Sequence, residues 1–449
     1  MKKLLVLMVL VLTVAVLAAP SLLGFSLWRL GDALAVATGM GAKLGCSGYF
    51  VSGQEHGQII DDLASYTPIN RRLTLEFGDN RAEASLFGLA ATSATWRPGL
   101  GCSLDIGDTA PLDTLVANDD WAGAAPVLAP ARLQDTALQA AVTGLLAADQ
   151  AAGLQTRALL VLQDGKLVAE SYAEGYGPDT PLLGWSMGKS VVAILLGRME
   201  ALGRLPVDPP LPLFAAWAGD ERREVTLQQM LQMTSGLDWD ETYAPGSDST
   251  RMLFQAHSAA AVAMVSPLAH EPGTTFSYSS GTTNLLAKYL HDRLGGPQAQ
   301  LDFLHRELLQ PLGLRQTLLE IDPSGVLVGS SYIYSSARDW ARLGQLLLGR
   351  GRVNGEQLLS ADWVARAIRP NPSVNDPRYG YQLWLNAGGD SLRWPDLPAD
   401  AYAMQGNRGQ VVMIVPSRGA VLVRLGWTEG EYPVSAGLGQ LLVALPADR

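Results

Sequence analysis

Ser186 stands at the centre of two overlapping patterns, either of which could make it a catalytic nucleophile. Residues 184–188 read Gly-Trp-Ser-Met-Gly and match G-x-S-x-G, whereas residues 186–189 read Ser-Met-Gly-Lys and match S-x-x-K. In the first pattern the serine lies on a sharp turn between a buried strand and a helix, and a histidine removes its proton. In the second pattern the lysine three residues later is available as the base. The rest of the sequence must decide between these two chemistries.

The G-x-S-x-G interpretation needs a buried strand before the serine and a histidine late in the chain. One glycine and two prolines lie within residues 177–181, and proline is excluded from central strands. The last of the five histidines is His305, so none follows the predicted C-terminal strands. His257 and His270 remain conceivable bases. The sequence therefore disfavours this interpretation.

The S-x-x-K interpretation predicts a helix that begins at Ser186 and carries Lys189 on the same face. The N-terminus of such a helix offers backbone N–H groups and positive potential to a developing oxyanion. Residues 191–197 read VVAILLG, so the helix becomes strongly apolar directly after the lysine. Burial favours the neutral form of a lysine, which is the form that can accept a proton.

Two later motifs supply further groups that this chemistry needs. Tyr278 is followed by two serines, the second of which is Ser280, just before a predicted helix. A phenol beside a lysine can accept the serine proton and return it to the leaving group. Residues 407–410 read Asn-Arg-Gly-Gln and precede an apolar strand. Small residues at this point let a substrate lie along the strand, and a backbone N–H can complete an oxyanion hole.

Together these motifs resemble those of the class C β-lactamase and penicillin-binding-protein-like serine hydrolases. They are most similar to the branch that contains carboxylesterases and 6-aminohexanoate-dimer hydrolases, and the resemblance covers roughly residues 135–445. It implies that Ser186 is the nucleophile, Lys189 the general base and Tyr278 a second acid/base. It also implies an oxyanion hole made by the backbone N–H groups of Ser186 and Gln410.

The resemblance further implies which residues contact the substrate. The candidates are Tyr243, Ser280, Asn407 and Gly409. Related lactamases and peptidases commonly end the second motif in asparagine, where this chain has Ser280, and carry lysine or histidine in the third, where it has Asn407. These departures favour a neutral ester or a linear amide, including a peptide-like one, over a lactam. A D-alanyl-D-alanine carboxypeptidase or β-lactamase is one alternative, and an inactive descendant that binds peptidoglycan or a protein is another.

The elements that must position these residues form a mixed pattern. A helix is predicted from residue 135, followed by a β-hairpin with Asp164-Gly165 at its turn and then by the Ser186 helix. The resemblance implies an α/β (α+β) fold over residues 126–449, in which an antiparallel sheet is flanked by helices and joined to a helical lobe. Residues 121–133 are rich in alanine and proline and predict a linker. A small N-terminal region with short strands, residues 28–125, precedes it.

The N-terminus and the cysteines both predict an exported protein. A basic start is followed by an uncharged apolar run, Leu4–Phe25, so residues 1–27 are predicted to be a signal peptide or a membrane anchor. The basic start would stay in the cytoplasm and the rest would be periplasmic or otherwise extracytoplasmic. An uncleaved segment would anchor it to the inner membrane. In such an oxidising compartment Cys46 and Cys102, the two cysteines of the chain, are expected to form a disulfide.

Charge and composition exclude some functions. The net charge of −10 leaves no basic stripe for the phosphates of a nucleic acid. Two cysteines without neighbouring histidines do not form a zinc site, and the chemistry above requires neither a metal nor an organic cofactor. The expected partner is therefore a small ester, amide or peptide-like substrate.

Overall fold

The structure is a computed structural model that describes residues 27–128 and 136–446. Its helices are α1 (Leu30–Phe50), α2 (His56–Ala64), α3 (Thr136–Ala151), α4 (Met187–Ala201), α5 (Leu227–Leu231), α6 (Asp248–Phe254), α7 (Ala259–Met264), α8 (Ser280–Leu294), α9 (Pro297–Leu304), α10 (Gln310–Leu312), α11 (Ala337–Leu348), α12 (Ala361–Ala367) and α13 (Val434–Ala444). Its strands are β1 (Leu73–Phe77), β2 (Arg81–Leu86), β3 (Ala90–Arg97), β4 (Gly101–Leu104), β5 (Thr156–Gln163), β6 (Lys166–Tyr172), β7 (Leu182–Leu183), β8 (Thr317–Leu319), β9 (Ile333–Ser335), β10 (Arg352–Val353), β11 (Glu356–Gln357), β12 (Trp384–Leu385), β13 (Tyr402–Gly406), β14 (Gln410–Val415) and β15 (Ala420–Gly426).

A six-stranded antiparallel sheet with the order β12-β13-β14-β15-β5-β6 forms the centre of the molecule. Successive side chains of a strand point to opposite faces, and both faces of β14 are buried. Val411 and Met413 pack with the helices α3 and α13, whereas Val412 and Ile414 belong to the core that contains α4 and α11. The predicted fold, an antiparallel sheet flanked by helices, is confirmed.

The helix α4 joins the sheet to the helical lobe. It contacts β13 and β14 of the sheet, and it also contacts α8 of the lobe. Most of its side chains are buried, including every residue from Met187 to Gly197. The boundary between sheet and lobe therefore runs along this helix, and residues at its N-terminal end can be reached from both.

The N-terminal region consists of α1 packed on a four-stranded antiparallel sheet of β1 to β4. The predicted disulfide between Cys46 and Cys102 is confirmed and ties α1 to β4. Within the described ranges, no helix has both the length and the apolar character needed to cross a bilayer. The run Leu4–Phe25, predicted to be a signal peptide or an anchor, lies outside those ranges.

Candidate active site

Ser186 lies at the junction between β7 and α4. The strand before it has two residues and pairs with β9 in a small three-stranded sheet, not in the central one. Trp185 has a left-handed backbone with φ of 49°, and Ser186 is the N-cap residue of α4. Ser186 is half-buried, whereas the residues on both sides of it are fully buried. The fold therefore leaves Ser186 partly exposed between two buried neighbours.

The two glycines that complete G-x-S-x-G have packing roles. A Cβ at Gly184 would lie 2.2 Å from the Trp340 ring, and a Cβ at Gly188 would lie 2.6 Å from the carbonyl oxygen of Gly329. No side chain fits at such distances, so both positions require glycine because of their neighbours. The match to the elbow pattern around Ser186 thus follows from close packing, and the short strand before it is not that of an elbow.

Lys189 lies one turn into α4 with its amine against the serine. Its Nζ donates to Ser186 Oγ at 3.0 Å, to Ser280 Oγ at 2.9 Å and to the carbonyl oxygen of Ser330 at 3.2 Å. The side chain is 1% exposed. Burial lowers the pKa of Lys189 from 10.5 to about 8, and the negative charge of Glu241 acts in the opposite direction. The neutral form is therefore accessible near physiological pH.

Tyr278 reaches the same place from the loop before α8. Its ring centroid lies 4.8 Å from Lys189 Nζ, and the ring stacks on Trp384 at 5.2 Å between centroids. Burial raises the pKa of Tyr278, the charge of Glu241 raises it further, and the Ser186 hydroxyl lowers it. The phenol is accordingly protonated at neutral pH and can donate a proton. The structure thus brings together all three predicted catalytic residues.

The end of β13 approaches the backbone of Ser186 most closely. A Cβ at Gly406 would lie 2.1 Å from the carbonyl oxygen of Gly184 and 3.1 Å from the backbone nitrogen of Ser186. Only a residue without a side chain fits there. Gln410 pairs with Gly406 across the hairpin, and Asn407 begins the turn between them with its side chain exposed.

Gly409 and the side chain of Gln410, both in the third motif, pack against residues other than Ser186. A Cβ at Gly409 would lie 2.5 Å from an Arg424 nitrogen and 2.8 Å from the Cβ of Tyr432. The Gln410 side chain is 1% exposed and both donates to and accepts from the backbone of Gly426. The glycine that lies against the Ser186 backbone is Gly406, which was not among the predicted site residues, and a contact of Gly409 with the substrate stays a prediction. The backbone N–H of Gln410 stays a prediction for the oxyanion hole.

Ser280 and Tyr243 meet at a carboxylate that the sequence analysis did not select. The Ser280 hydroxyl donates to Glu241 Oε1 at 2.6 Å and its backbone N–H donates to Oε2 at 2.8 Å. Ser280 is 0% exposed, so the prediction that it contacts the substrate is corrected: it lies between Lys189 and Glu241, beneath the site. Tyr243 is 45% exposed and its hydroxyl donates to Glu241 at 3.3 Å, which places it at the rim.

The N-terminal region also borders the site. The ring of Tyr66 lies 3.9 Å from the Arg408 guanidinium and 6.2 Å from the ring of Trp185. One side chain from this region thus contacts both the residue before Ser186 and the turn after β13. Arg408 itself is buried and has a left-handed backbone with φ of 63°.

Neither histidine that could have served as a base is placed against the serine hydroxyl. His257 Nε2 lies 3.3 Å from the carbonyl oxygen of Asp108, in the N-terminal region, and His270 is exposed in a loop. The side chain that contacts the Ser186 hydroxyl is that of Lys189. In the part of the chain that the structure describes, no group of three or more His, Cys, Asp or Glu side chains could hold a metal ion.

Comparisons with known proteins agree with this geometry. The family model described as β-lactamase matches residues 138–442, which is more than half of the chain. A 6-aminohexanoate-dimer hydrolase from Paenarthrobacter ureafaciens is 28% identical over 284 residues, which cover 60% of this chain and 72% of that protein.

Two solved structures share the fold. A penicillin-binding-protein homologue from Caulobacter crescentus superposes with a TM-score of 0.55 at 19% identity, covering 71% of this chain and 99% of that one. A family VIII carboxylesterase superposes with a TM-score of 0.55 at 13% identity, and the superposition covers 72% of this chain and 98% of the carboxylesterase. The predicted resemblance is confirmed: the chain belongs to the β-lactamase family of serine hydrolases.

Proposed function

We propose that this protein is an exported hydrolase that cleaves neutral esters or linear amides through an acyl-enzyme on Ser186. The observation that carries the proposal is the 3.0 Å contact between Ser186 Oγ and Lys189 Nζ. The lysine is buried, and its pKa is lowered to about 8, so it can act as a base near neutral pH.

The reaction begins when neutral Lys189 accepts the Ser186 proton as Oγ forms a bond to the substrate carbonyl carbon. The Ser186 backbone N–H, at the N-terminal end of α4, faces the oxyanion that forms, and the backbone N–H of Gln410, the first residue of β14, supplies the second donor. Tyr278 donates its proton to the departing alcohol or amine and is reprotonated from Lys189. A water molecule then attacks the acyl carbon by the reverse sequence and frees Ser186.

The preference for a neutral substrate rests on the third motif and on the relatives. The exposed side chain that begins the turn after β13 is Asn407, an uncharged group, and the neighbouring Arg408 is buried against Tyr66. A substrate carboxylate therefore has no cation from this turn to meet. The two relatives named for their activities are a 6-aminohexanoate-dimer hydrolase and a carboxylesterase, whose names refer to an amide and to esters.

Export is the second part of the proposal. It rests on the uncharged apolar run Leu4–Phe25 after a basic start, and the confirmed disulfide between Cys46 and Cys102 is consistent with an oxidising compartment. The full chain, expressed in a Gram-negative host, is expected to be digested by protease in spheroplasts with an intact inner membrane. Protection in spheroplasts, with digestion only after lysis, would contradict export.

A substrate panel tests the proposed reaction. Hydrolysis of an uncharged aryl ester, a linear 6-aminohexanoate dimer and benzylpenicillin is measured for the wild type and for Ser186→Ala. The matched control is Ser417→Ala, which removes an exposed serine far from the chemistry. We expect turnover of the ester or the dimer that disappears only in Ser186→Ala. Faster turnover of benzylpenicillin than of either would instead support the lactamase alternative.

A further inference from the structure

The carboxylate of Glu241 lies next to Ser280 and accepts five hydrogen bonds. Its Oε2 accepts from the Trp239 indole at 2.7 Å, from the Ser280 backbone N–H at 2.8 Å and from the Ser249 hydroxyl at 3.1 Å. Its Oε1 accepts from the Ser280 hydroxyl at 2.6 Å and from the Tyr243 hydroxyl at 3.3 Å. All five donors are neutral groups.

The closest link from this carboxylate to a positive charge runs through Ser280. Lys189 Nζ donates to the Ser280 hydroxyl at 2.9 Å, and the same hydroxyl donates to Glu241 Oε1 at 2.6 Å. The amine and the carboxylate are thus bridged by a single buried hydroxyl and make no direct ion pair among the described residues. Since the bridge uses the serine proton for Glu241, the serine oxygen is left to accept from Lys189.

We propose that Glu241 is a positioning residue of this active site. It acts on Lys189 through the Ser280 hydroxyl and sets the charge that the lysine carries before the reaction begins. The proposal rests on the proposed function, since it concerns the base of that reaction. Glu241 does not touch Ser186 and takes no part in the covalent steps.

The electrostatic surroundings of Lys189 support this role. Two titratable groups face the amine: Glu241, from the loop before α6, acts through its charge from beyond Ser280, and Tyr278, from the loop before α8, has its ring 4.8 Å from Nζ. The loop before β9 contributes the Ser330 carbonyl oxygen. The charge of Glu241 raises the pKa of Lys189 against the effect of burial, and it also raises the pKa of Tyr278. Burial is the larger influence on both groups, and the charge of Glu241 favours the protonated form of each.

The test is the pH dependence of kcat/KM for an uncharged ester in the wild type and in Glu241→Gln. The amide has the shape of the carboxylate, and its oxygen can accept from Trp239, Ser249 and the Ser280 N–H while its NH₂ donates to the hydroxyls. Without the charge, the acidic limb of the profile is expected to move to lower pH by about one unit or more. The matched control is Asp240→Asn, which removes the same charge from an exposed position one residue earlier and is expected to leave the limb in place.

Each outcome bears on one proposal only. An unchanged acidic limb in active Glu241→Gln would overturn the role of Glu241 and leave the proposed hydrolase intact. An inactive, folded wild type would instead overturn the proposed function. If Glu241→Gln does not fold, Ser280→Ala breaks the bridge while keeping the charge. Because the bridge to Lys189 is lost, the acidic limb is expected to move to lower pH, by less than in Glu241→Gln because the carboxylate charge remains, and an unchanged limb would overturn the proposal.

Discussion

The charge on Lys189 predicts how the rate of acylation depends on pH. Burial lowers the pKa of Lys189 from 10.5 to about 8, although Glu241 opposes the shift. At pH 7 about one lysine in ten is then neutral, compared with about one in three thousand at the ordinary value, a gain of about 300-fold in reactive enzyme. Below pH 7 the neutral fraction falls about tenfold per unit. The kcat/KM should therefore rise tenfold per pH unit from about pH 5.5 to 7 and level off above about pH 8.

The assay is the second-order rate of Ser186 modification by an uncharged fluorophosphonate between pH 5.5 and 9.5. This reagent does not titrate, so its rate reports on the enzyme alone. Circular dichroism across the same range verifies that the fold persists. A profile that is flat from pH 6 to 9 would refute the assignment of Lys189 as the base. A limb near pH 6.5 that persists in Lys189→Ala would point to a histidine instead.

Three further predictions concern stability. Lys189→Met should raise the free energy of unfolding at pH 7 by up to about 3 kcal/mol while abolishing activity, because the folded wild type carries a buried amine whose pKa lies below 10.5. The folded chain loses this proton near pH 8 and the unfolded chain near pH 10.5, so the wild type becomes more stable as the pH rises between these values. The difference in the free energy of unfolding between Lys189→Met and the wild type should therefore shrink. Urea titrations at pH 7 and 9.5 that show a constant or growing difference would contradict this. Glu320→Gln leaves Lys43 buried without its ion-pair partner and should lower the free energy of unfolding by about 3 to 5 kcal/mol in the same titration. Adding Lys43→Met to this variant should recover part of the loss. A loss below about 1 kcal/mol would contradict the prediction. Replacing Cys46 and Cys102 by serine opens a loop with a sequence separation of 56 residues and should cost about 4 kcal/mol, and equal urea midpoints for the two proteins would contradict the contribution of the disulfide.

The sequence was informative where local pattern and local structure coincide. The hairpin turn at Asp164-Gly165 has positive φ at both residues, as the residue types predicted. Ser186 begins a helix that is buried from Met187 to Gly197 because the sheet and the lobe both cover it, as the apolar run after Lys189 had indicated. These features depend on neighbours in the chain, so a single sequence carries them.

The features that the sequence did not reveal are set by tertiary contacts. Glu241 lies in a loop, more than fifty residues after Ser186, and no local pattern distinguishes it from the acidic residues beside it. Gly406 and Gly409 belong to one short segment, and only the pairing of β13 with β14 decides which of them meets the serine. Ser280 was predicted to contact the substrate. Its burial beside Lys189 depends on how α8 packs on α4, and the sequence does not show that packing.

The sequence also did not predict that the N-terminal region packs against the active site. Residues 28–125 were expected to be a small region before a linker; the short strands and the disulfide are present, and the domain boundary stays a prediction. The contacts of Tyr66 with Arg408 and Trp185 show that this region also borders the active site. Such contacts between distant segments leave no periodicity in either segment.

The most direct test of the central claim is the intact mass of the protein after treatment with a fluorophosphonate. The account predicts a single phosphonyl adduct on the wild type, no adduct on Ser186→Ala, and an adduct on Lys189→Ala only after much longer exposure. Tryptic mapping should place the adduct on Ser186, in the segment that ends at Lys189. An unmodified folded wild type, or an adduct that persists in Ser186→Ala, would contradict the claim that this serine and this lysine form the catalytic pair.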